Sequence, residues 1–277
     1  MVTIAYLGPA GTYSEMAVLQ YRQRWGTAQT QLLPCNTIQQ AMTAVATAQV
    51  ELAIVPLENS LQGSVSMTLD GLWQWQNIQI QQVLVLPIRH HLLSFAKSLD
   101  QIDIIYSHSQ GLGQCQQWLL THLPHARQQA VDSTSQGVQM LRGQARGAAI
   151  ASQRSAEIYQ VPILWANISD HWENYTRFAV LKVSTDWQEG RHSSWGFSFS
   201  HNRAGTLVKA LHSFADRHIN LTRIESRPSK RSLGDYIFFV DIEGSITDPV
   251  VQSAWAQLET MTENLRHFGS YHTHMLS

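Results

Sequence analysis

The stretch ENYTRFAVL, residues 173–181, places a hydroxyl and a permanent cation immediately before a run of strand-forming residues. Residues 178–183 are apolar apart from Lys182, which predicts a buried strand. Thr176 and Arg177 stand at the start of that strand. The pair fits two interpretations, polar residues of an ordinary loop or part of a binding site, and the stretch alone does not separate them.

Similar short apolar runs recur along the first two thirds of the chain, separated by longer segments with helical patterns. This alternation predicts an α/β fold with mostly parallel sheets. The predicted strands are 2–8, 51–57, 80–88, 103–108 and 147–152, and the predicted helices are 14–25, 111–123 and 153–159.

The pattern changes after Val183, where a polar segment, residues 184–194, predicts a linker. An amphipathic helix follows the next strand, with Leu207, Leu211 and Phe214 on one face. The order βαββαβ that results is typical of a ferredoxin-like α+β domain. Its predicted strands are 195–201, 219–228, 235–244 and a short one at 269–276, and its helices are 204–218 and 249–265.

The composition excludes several classes of protein. A net charge of -1 and an isoelectric point near 6.9 provide no overall field that attracts nucleic acid or an anionic membrane. The apolar runs are too short to span a bilayer, and they follow no signal peptide. Neither Cys35 and Cys115 nor His90 and His91 have the spacing of metal ligands. We therefore expect a soluble cytoplasmic protein with reduced cysteines and no metal site.

Polar residues follow the first predicted strand in GPAGTYSEMA, residues 8–17. A turn from strand to helix points free amide groups and the positive helix end at an anion, and Thr12 and Ser14 add hydroxyls. The alternative is a capped helix that binds nothing. The segment matches neither the Walker motif nor GxGxxG, which disfavours a nucleotide.

Two further polar clusters follow predicted strands. Ligands of α/β sheets bind at the carboxyl ends of strands, so the clusters together favour a crevice suited to a small carboxylate. Plain turns and a structural histidine are the alternatives. The clusters are Glu58, Asn59 and Ser60 after strand 51–57, and Ser107, His108, Gln110 and Gln114 after strand 103–108.

Four segments resemble, in sequence and in order, the blocks that mark prephenate dehydratases: GPAGTYS, VPLENSLQGSV, YSHSQGLGQC and NYTRFAVL. INLTRIESRP followed by YIFFVDIEG resembles the regulatory ACT domain attached to that enzyme. The resemblance implies a type 2 periplasmic-binding-protein-like α/β catalytic domain, residues 1–184, and an α+β ferredoxin-like ACT domain, residues 194–277.

The resemblance also implies two catalytic subdomains with the active site between them. The first is expected at about 1–75 and 170–184, and the second at about 76–169. The strand that begins at Thr176 would be a returning strand, antiparallel to its neighbours, which brings its start to the crevice. A chorismate mutase module would need a helical segment before the first block, so we expect a monofunctional enzyme.

The implied reaction converts prephenate to phenylpyruvate, carbon dioxide and water in L-phenylalanine biosynthesis. It needs no metal or cofactor, because aromatisation drives it. Thr176 matches the family's general acid for departure of the hydroxide, and Arg177 matches the partner of a substrate carboxylate. Glu58 matches the family's glutamate, expected to orient Asn59 or the leaving hydroxyl. The other residues expected to bind substrate are Thr12, Ser14, Asn59, Ser60, Ser107 and Gln114.

For the ACT domain the resemblance implies allosteric control by L-phenylalanine or another aromatic amino acid. The effector is expected between subunits of a homodimer or homotetramer. Thr206 stands where the family has a small apolar residue, which leaves the identity and sign of the effector open. The expected effector-binding residues are Gly205, Leu207, Asn220, Leu221, Glu225, Ser226, Arg227 and Pro228.

Two rival functions remain at this stage. An arogenate dehydratase would run the same chemistry on the aminated substrate. A non-catalytic amino-acid sensor would bind a ligand without turnover, but a sensor has no need of the acid at Thr176.

Overall fold

The amino-terminal part of the chain and one returning strand build the first subdomain of the computed structural model, which describes residues 2–26, 29–201 and 203–276. Its first two helices begin where threonines accept backbone N–H bonds, Thr12 from Glu15 and Thr37 from Gln40. The elements are β1 Val2–Leu7, α1 Tyr13–Trp25, β2 Thr30–Cys35, α2 Ile38–Ala46, β3 Leu52–Asn59, β4 Gly63–Ser64, α3 Ser66–Gln74, β5 Ile78–Pro87 and β11 Tyr175–Val183.

The second subdomain lies between β5 and β11 in the chain and has its own five-stranded sheet. Several of its short helices also begin at side-chain caps, among them Ser133 and Ser152. The elements are β6 His91–Ser94, a 3-10 turn Leu99–Gln101, β7 Ile104–Ser107, α4 Ser109–Gln114, α5 Gln116–His122, β8 Arg127–Ala130, α6 Thr134–Gln139, β9 Gly147–Ala151, α7 Gln153–Tyr159 and β10 Ile163–Trp165.

The carboxy-terminal part has the predicted order βαββαβ. Its helices cover one face of an antiparallel sheet, and Trp195, Phe197 and Phe214 are buried between them. The elements are β12 His192–Ser198, α8 Thr206–Ala215, β13 Leu221–Pro228, β14 Tyr236–Glu243, α9 Pro249–Glu259 and β15 Asn264–Met275. The predicted fold class, an α/β domain of two subdomains followed by a ferredoxin-like α+β domain, is confirmed.

Both sheets are mixed rather than mostly parallel. The ten-stranded sheet has the order β13-β14-β12-β15-β5-β11-β3-β1-β2, with β4 paired to β3, and the five-stranded sheet has the order β10-β6-β9-β7-β8. Strand β11 runs antiparallel to both of its neighbours, β3 and β5, as expected of a returning strand. The start of β11 therefore lies beside the end of β3.

Three boundaries differ from the predictions. The second subdomain begins after Pro87 rather than near residue 76, because β5 pairs with β11 and β15 in the first sheet. The helix predicted at 111–123 is two helices that meet at Cys115. The final strand is not short: it begins at Asn264, where the helix had been predicted to continue, and has 12 residues.

Strand β15 joins the carboxy-terminal sheet to the first subdomain. Its first part pairs with β12, and His272–Met275 pair in parallel with β5. The change of partner occurs between Tyr271 and His272, shortly after Gly269, which has φ of 135°. A Cβ at this position would lie 2.2 Å from the carbonyl oxygen of Ile80 on β5. Only glycine allows the two strands to meet here.

Two findings bear on the exclusions made from composition. Cys35 and Cys115 are both free and buried. Within the described residues no helix is long and apolar enough to cross a membrane.

Replacing Gly269 with alanine is expected to destabilise the fold, since the methyl group would push β5 and β15 apart in addition to straining φ. The expected cost is about 2–4 kcal/mol, a fall in melting temperature of about 5–10 °C. Gly143→Ala is the matched control, because Gly143 also has positive φ but nothing lies within 4 Å of its added Cβ. The control should lose about 1 kcal/mol. Equal melting temperatures for the two variants would contradict this account of the junction.

Candidate active site

A cleft of about 1010 Å³ lies between the two subdomains. The first subdomain contributes the loops after β1 and β3, and the second contributes the starts of α4 and α6. None of the described residues that line it is a lysine or arginine, and Asp132 is the one ionisable carboxyl among them. An anionic ligand would therefore be bound by neutral donors and by the amino termini of helices. The longest of these helices is α1.

Direct contacts between the subdomains close one end of the cleft. The carbonyl oxygen of Gly11 accepts hydrogen bonds from the hydroxyls of Ser152 at 2.9 Å and Ser155 at 2.8 Å. Glu15 accepts the Gly11 N–H at 2.8 Å and a guanidinium N–H of Arg154 at 3.3 Å. The loop that carries Thr12 is thus fixed against the second subdomain.

Thr176 lies at the floor of the cleft and is 8% exposed. Its Oγ1 accepts a hydrogen bond of 3.0 Å from Nδ2 of Asn59, the residue directly opposite it on β3. The Asn59 amide is itself oriented, since its Oδ1 accepts the backbone N–H groups of Leu61 and Gln62. Among the described residues, Thr176 O–H has no acceptor, so its proton is available to a ligand.

A buried chain of side chains continues from Asn59. Its Nδ2 also donates to Oδ1 of Asn174 at 2.8 Å, and Asn174 Nδ2 donates to Oε1 of Gln114 at 2.8 Å. The same Oε1 lies 2.8 Å from Nε2 of His90, whose Nδ1 is 3.1 Å from the Tyr13 hydroxyl. These contacts join both subdomains across the back of the cleft.

Arg177 and Glu58 do not line the cleft. Neighbouring residues of a strand point to opposite faces, so the partners Arg177 and Glu58 face away from Thr176 and Asn59. Arg177 donates to Glu58 at 2.8 Å and to Asp241 of β14 at 3.1 Å. This placement does not fit the expectation that Arg177 binds a substrate carboxylate or that Glu58 orients Asn59 or the leaving hydroxyl.

Asp241 is the centre of that ion cluster and is fully buried. Arg223 of β13 donates to both of its oxygens, at 3.1 and 3.3 Å, and Ser194 donates at 2.6 Å. Burial alone would raise the pKa of Asp241, but Arg223 and Arg177 together lower it below its ordinary value. Burial acts to lower the pKa of Arg177, but Asp241, Tyr271 and Glu58 together outweigh that effect and raise it. Asp241, Arg177 and Arg223 are therefore ionised at neutral pH, and the cluster joins the two domains.

The other predicted substrate residues divide between the cleft and its supports. Thr12, Ser14 and Gln114 line the cleft with Asn59 and Thr176. Ser107 does not line it: its side chain is fully buried and donates to the carbonyl of Ile150 at 2.7 Å. Ser60 also lies outside the lining and accepts the N–H of Tyr175 at 3.0 Å, which holds the start of β11.

Sequence reasoning missed the roles of His90, Tyr13 and Asn174, and it named His108 as a candidate site residue, with a structural histidine as the alternative. His108 does line the cleft, where its side chain caps α4, and burial lowers its pKa. His90 also lines the cleft and is 3% exposed. The available signal was its place just after the predicted strand 80–88, because the other candidate residues also follow predicted strands.

The predicted effector residues lie on two faces of the carboxy-terminal domain. Gly205 precedes α8 with φ of 83°, and Leu207 and Leu221 pack against the helical core. Asn220, Ser226 and Pro228 are exposed. Glu225 and Arg227 face the catalytic domain instead: Arg227 donates to Ser66 at 2.6 Å and to Asp70 at 2.9 Å.

Comparisons with known proteins agree with this architecture. The family model described as prephenate dehydratase matches residues 4–186, and the ACT domain model matches residues 197–260. A prephenate dehydratase of Methanocaldococcus jannaschii is 36% identical over 274 residues, covering 97% of each chain.

Two solved structures are similar over nearly the full length. The prephenate dehydratase of Arthrobacter aurescens in complex with L-Phe has a TM-score of 0.89 and 31% identity, covering 98% of this chain and 90% of that one. A chain described as GqqA, a quorum-quenching acylase, has a TM-score of 0.83 and 28% identity, covering 97% of each.

The fold and the cleft define a two-subdomain catalytic domain with a regulatory α+β domain joined to it. The chain belongs to the prephenate dehydratase family and carries the ACT domain. It is accordingly an enzyme of the lyase class, a decarboxylating dehydratase of phenylalanine biosynthesis.

Proposed function

We propose that the cleft converts prephenate to phenylpyruvate, with Thr176 as the general acid. The C–O bond of the ring hydroxyl breaks, and the departing hydroxide takes the proton of Thr176 Oγ1 and leaves as water. The electrons come from the bond to the ring carboxylate, which leaves as carbon dioxide as the ring becomes aromatic. The observation that carries the proposal is the Thr176 O–H, which faces the cleft, is oriented by Asn59 and has no acceptor among the described residues.

Asn59 supplies what an isolated threonine lacks as an acid. Negative charge develops on Oγ1 as the proton leaves, and the Asn59 N–H already points at that oxygen from 3.0 Å. A preoriented donor at a developing anion lowers the barrier, which typically raises the rate by a factor of about 10²–10³. The same bond occupies a lone pair of Oγ1, so the hydroxyl proton is directed elsewhere, which supports a role as donor to the substrate.

The two carboxylates of the substrate would be bound without Lys or Arg from the described lining. The support is the set of neutral donors there: Thr12 and Ser14 at the start of α1, the Gln114 amide, and Ser133 and Thr134 at the start of α6. This set replaces the carboxylate contact that had been expected of Arg177.

Replacing Thr176 with valine, which has the same shape and no hydroxyl, is expected to lower kcat for prephenate by about 10²–10⁴. Substrate binding should change little, because the bond to the hydroxide gains strength only as the C–O bond breaks. Thr176→Ser keeps a hydroxyl and should retain activity within about tenfold. Steady-state turnover with direct measurement of substrate binding tests both variants.

Near-normal kcat in Thr176→Val would show that another group is the acid. The same assay run with arogenate determines the substrate: a strong preference of the unaltered enzyme for arogenate would refute prephenate as the substrate. Binding of prephenate without any turnover would instead support the amino-acid sensor.

We further propose that L-phenylalanine binds the ACT domain near Gly205, Leu207 and the segment 220–228, and thereby changes turnover. The neighbour from Arthrobacter aurescens, which was solved with L-Phe, supports this effector. Strand β13 is the edge of the described sheet, and Ile224 on it is 47% exposed. An open strand edge with an exposed apolar residue supports pairing with a second copy, hence a homodimer or homotetramer.

The route from β13 to the cleft is short. Arg223 donates to Ser64 at 3.0 Å, and Arg227 donates to Ser66 at 2.6 Å. Ser64 and Ser66 both line the cleft. A shift of β13 on effector binding would therefore move one wall of the cleft, which is the differential contact that coupling between two sites requires.

A cytoplasmic location is proposed with this function. The support is that both cysteines are free and buried, as is usual in a reducing compartment.

Asp70→Asn tests the route, since Asp70 binds both Arg227 at 2.9 Å and Lys230 at 2.7 Å and lies outside the cleft lining. We expect basal turnover within about twofold and continued binding of L-phenylalanine by calorimetry. The effect of L-phenylalanine on kcat/KM, expected at about 5–150-fold in the unaltered enzyme, should fall severalfold. Asp103→Asn removes an exposed ion pair with Arg146 and is the control, with regulation unchanged. Full regulation in Asp70→Asn would contradict the route through β13.

A further inference from the structure

Two backbone N–H groups at Asn59 determine which groups donate and which accept in the hydrogen bonds at the back of the cleft. Asn59 Oδ1 accepts the N–H groups of Leu61 at 3.1 Å and Gln62 at 3.2 Å, so its NH2 group must be the end that faces Asn174. Asn174 then accepts with Oδ1 and donates with Nδ2. Gln114 Oε1 is therefore an acceptor, and it cannot be exchanged with the NH2 group.

The same logic assigns the proton of His90. Because Gln114 Oε1 accepts, the His90 Nε2 that lies 2.8 Å away must carry the hydrogen. Burial lowers the pKa of His90 to about 4, an effect that the bond to Gln114 partly offsets and that His91 reinforces. The ring is thus neutral at pH 7, with Nδ1 unprotonated.

Tyr13 completes the chain from the other side. An unprotonated Nδ1 needs a donor, and the Tyr13 hydroxyl at 3.1 Å is in place to supply one. That hydroxyl is also 2.7 Å from the carbonyl of Arg89, so its proton is shared between two acceptors. Burial raises the pKa of Tyr13, which keeps its proton in place.

These assignments determine the orientation of the Gln114 amide. Its Oε1 receives two donors, His90 and Asn174, so both acceptor positions of that oxygen are occupied. Its NH2 group has no partner among the described residues, and the side chain lines the cleft. An anionic ligand in a cleft without lysine or arginine at its described lining gains from such a donor and would be repelled by the carbonyl end.

We propose that His90 is a positioning residue that, together with Asn174, holds the Gln114 amide with its N–H groups towards the cleft for an anionic oxygen of the substrate. Tyr13 sets the His90 tautomer that this requires. The inference rests on the proposed function for the identity of the substrate, but the orientation of the amide follows from the contacts alone.

His90→Leu tests the proposal, because it removes one of the two donors that hold Gln114 Oε1. We expect KM for prephenate to rise about tenfold or more, as for the loss of an oriented bond to a charged group, with kcat within about threefold. His90→Gln can place an N–H where Nε2 lies and should restore KM to within about threefold. His91→Leu is the matched control. His91 follows His90 in the chain and is also buried, but it lies outside the cleft lining, so KM of this variant should be unchanged.

A second comparison separates positioning from packing. In a Gln114→Ala background, His90→Leu should have no further effect on KM, since His90 acts through Gln114. An equal rise in KM in both backgrounds, or an unchanged KM in active His90→Leu, would overturn the proposal. His90→Gln provides the test if the leucine variant does not fold: a KM raised as far as in Gln114→Ala would also overturn it. Absence of turnover in the unaltered enzyme would instead refute the proposed function.

Discussion

The pairing of β11 with β3 is the constraint on which the site and its regulation both depend. In this register Thr176 lies opposite Asn59, and Arg177 lies opposite Glu58. Since side chains alternate between the faces of a strand, the first pair faces the cleft and the second faces the ACT domain. A slip of β11 by one residue would place Arg177 opposite Asn59 in the cleft and turn Thr176 to the other face. One strand register thus orients the proposed acid and attaches the regulatory domain.

The ion cluster makes this attachment specific. Removing a buried carboxylate from water is costly, and Asp241 is stable there because Arg223, Arg177 and Ser194 all donate to it. Loss of one partner would leave a buried charge without compensation, typically a cost of about 3–5 kcal/mol. The ACT domain therefore has a well-defined position relative to Thr176. Together with β15, which pairs with β12 of the ACT domain and with β5 of the first subdomain, the cluster explains how a domain that follows the catalytic one can influence its cleft.

Much of the fold was predictable because its signals are local. The buried strands β1, β3 and β9 are continuous apolar runs, and α1 and α7 match their predicted bounds closely. The long strand β15 was not, since HFGSYHTH has no regular alternation and the strand changes partner after Tyr271. Strand β2 was missed because TQLLPC is mostly exposed and contains a proline.

The sequence predicted which strand ends form the site, but not which way each side chain points. The strand ends identified Thr176, Asn59 and Gln114, all of which line the cleft. Which face Arg177 occupies depends on the register with β3, and that is a tertiary property. The contacts of His90 with Gln114 and of Asn59 with Asn174 join residues far apart in the chain, so no local pattern contains them.

The most direct test of the central claim, that Asn59 acts on Thr176 through their hydrogen bond, is a double-mutant cycle in kcat with Asn59→Ala and Thr176→Val. The account predicts strong coupling: kcat of the double variant should lie within about threefold of kcat of Thr176→Val. Rate losses that multiply independently would contradict it.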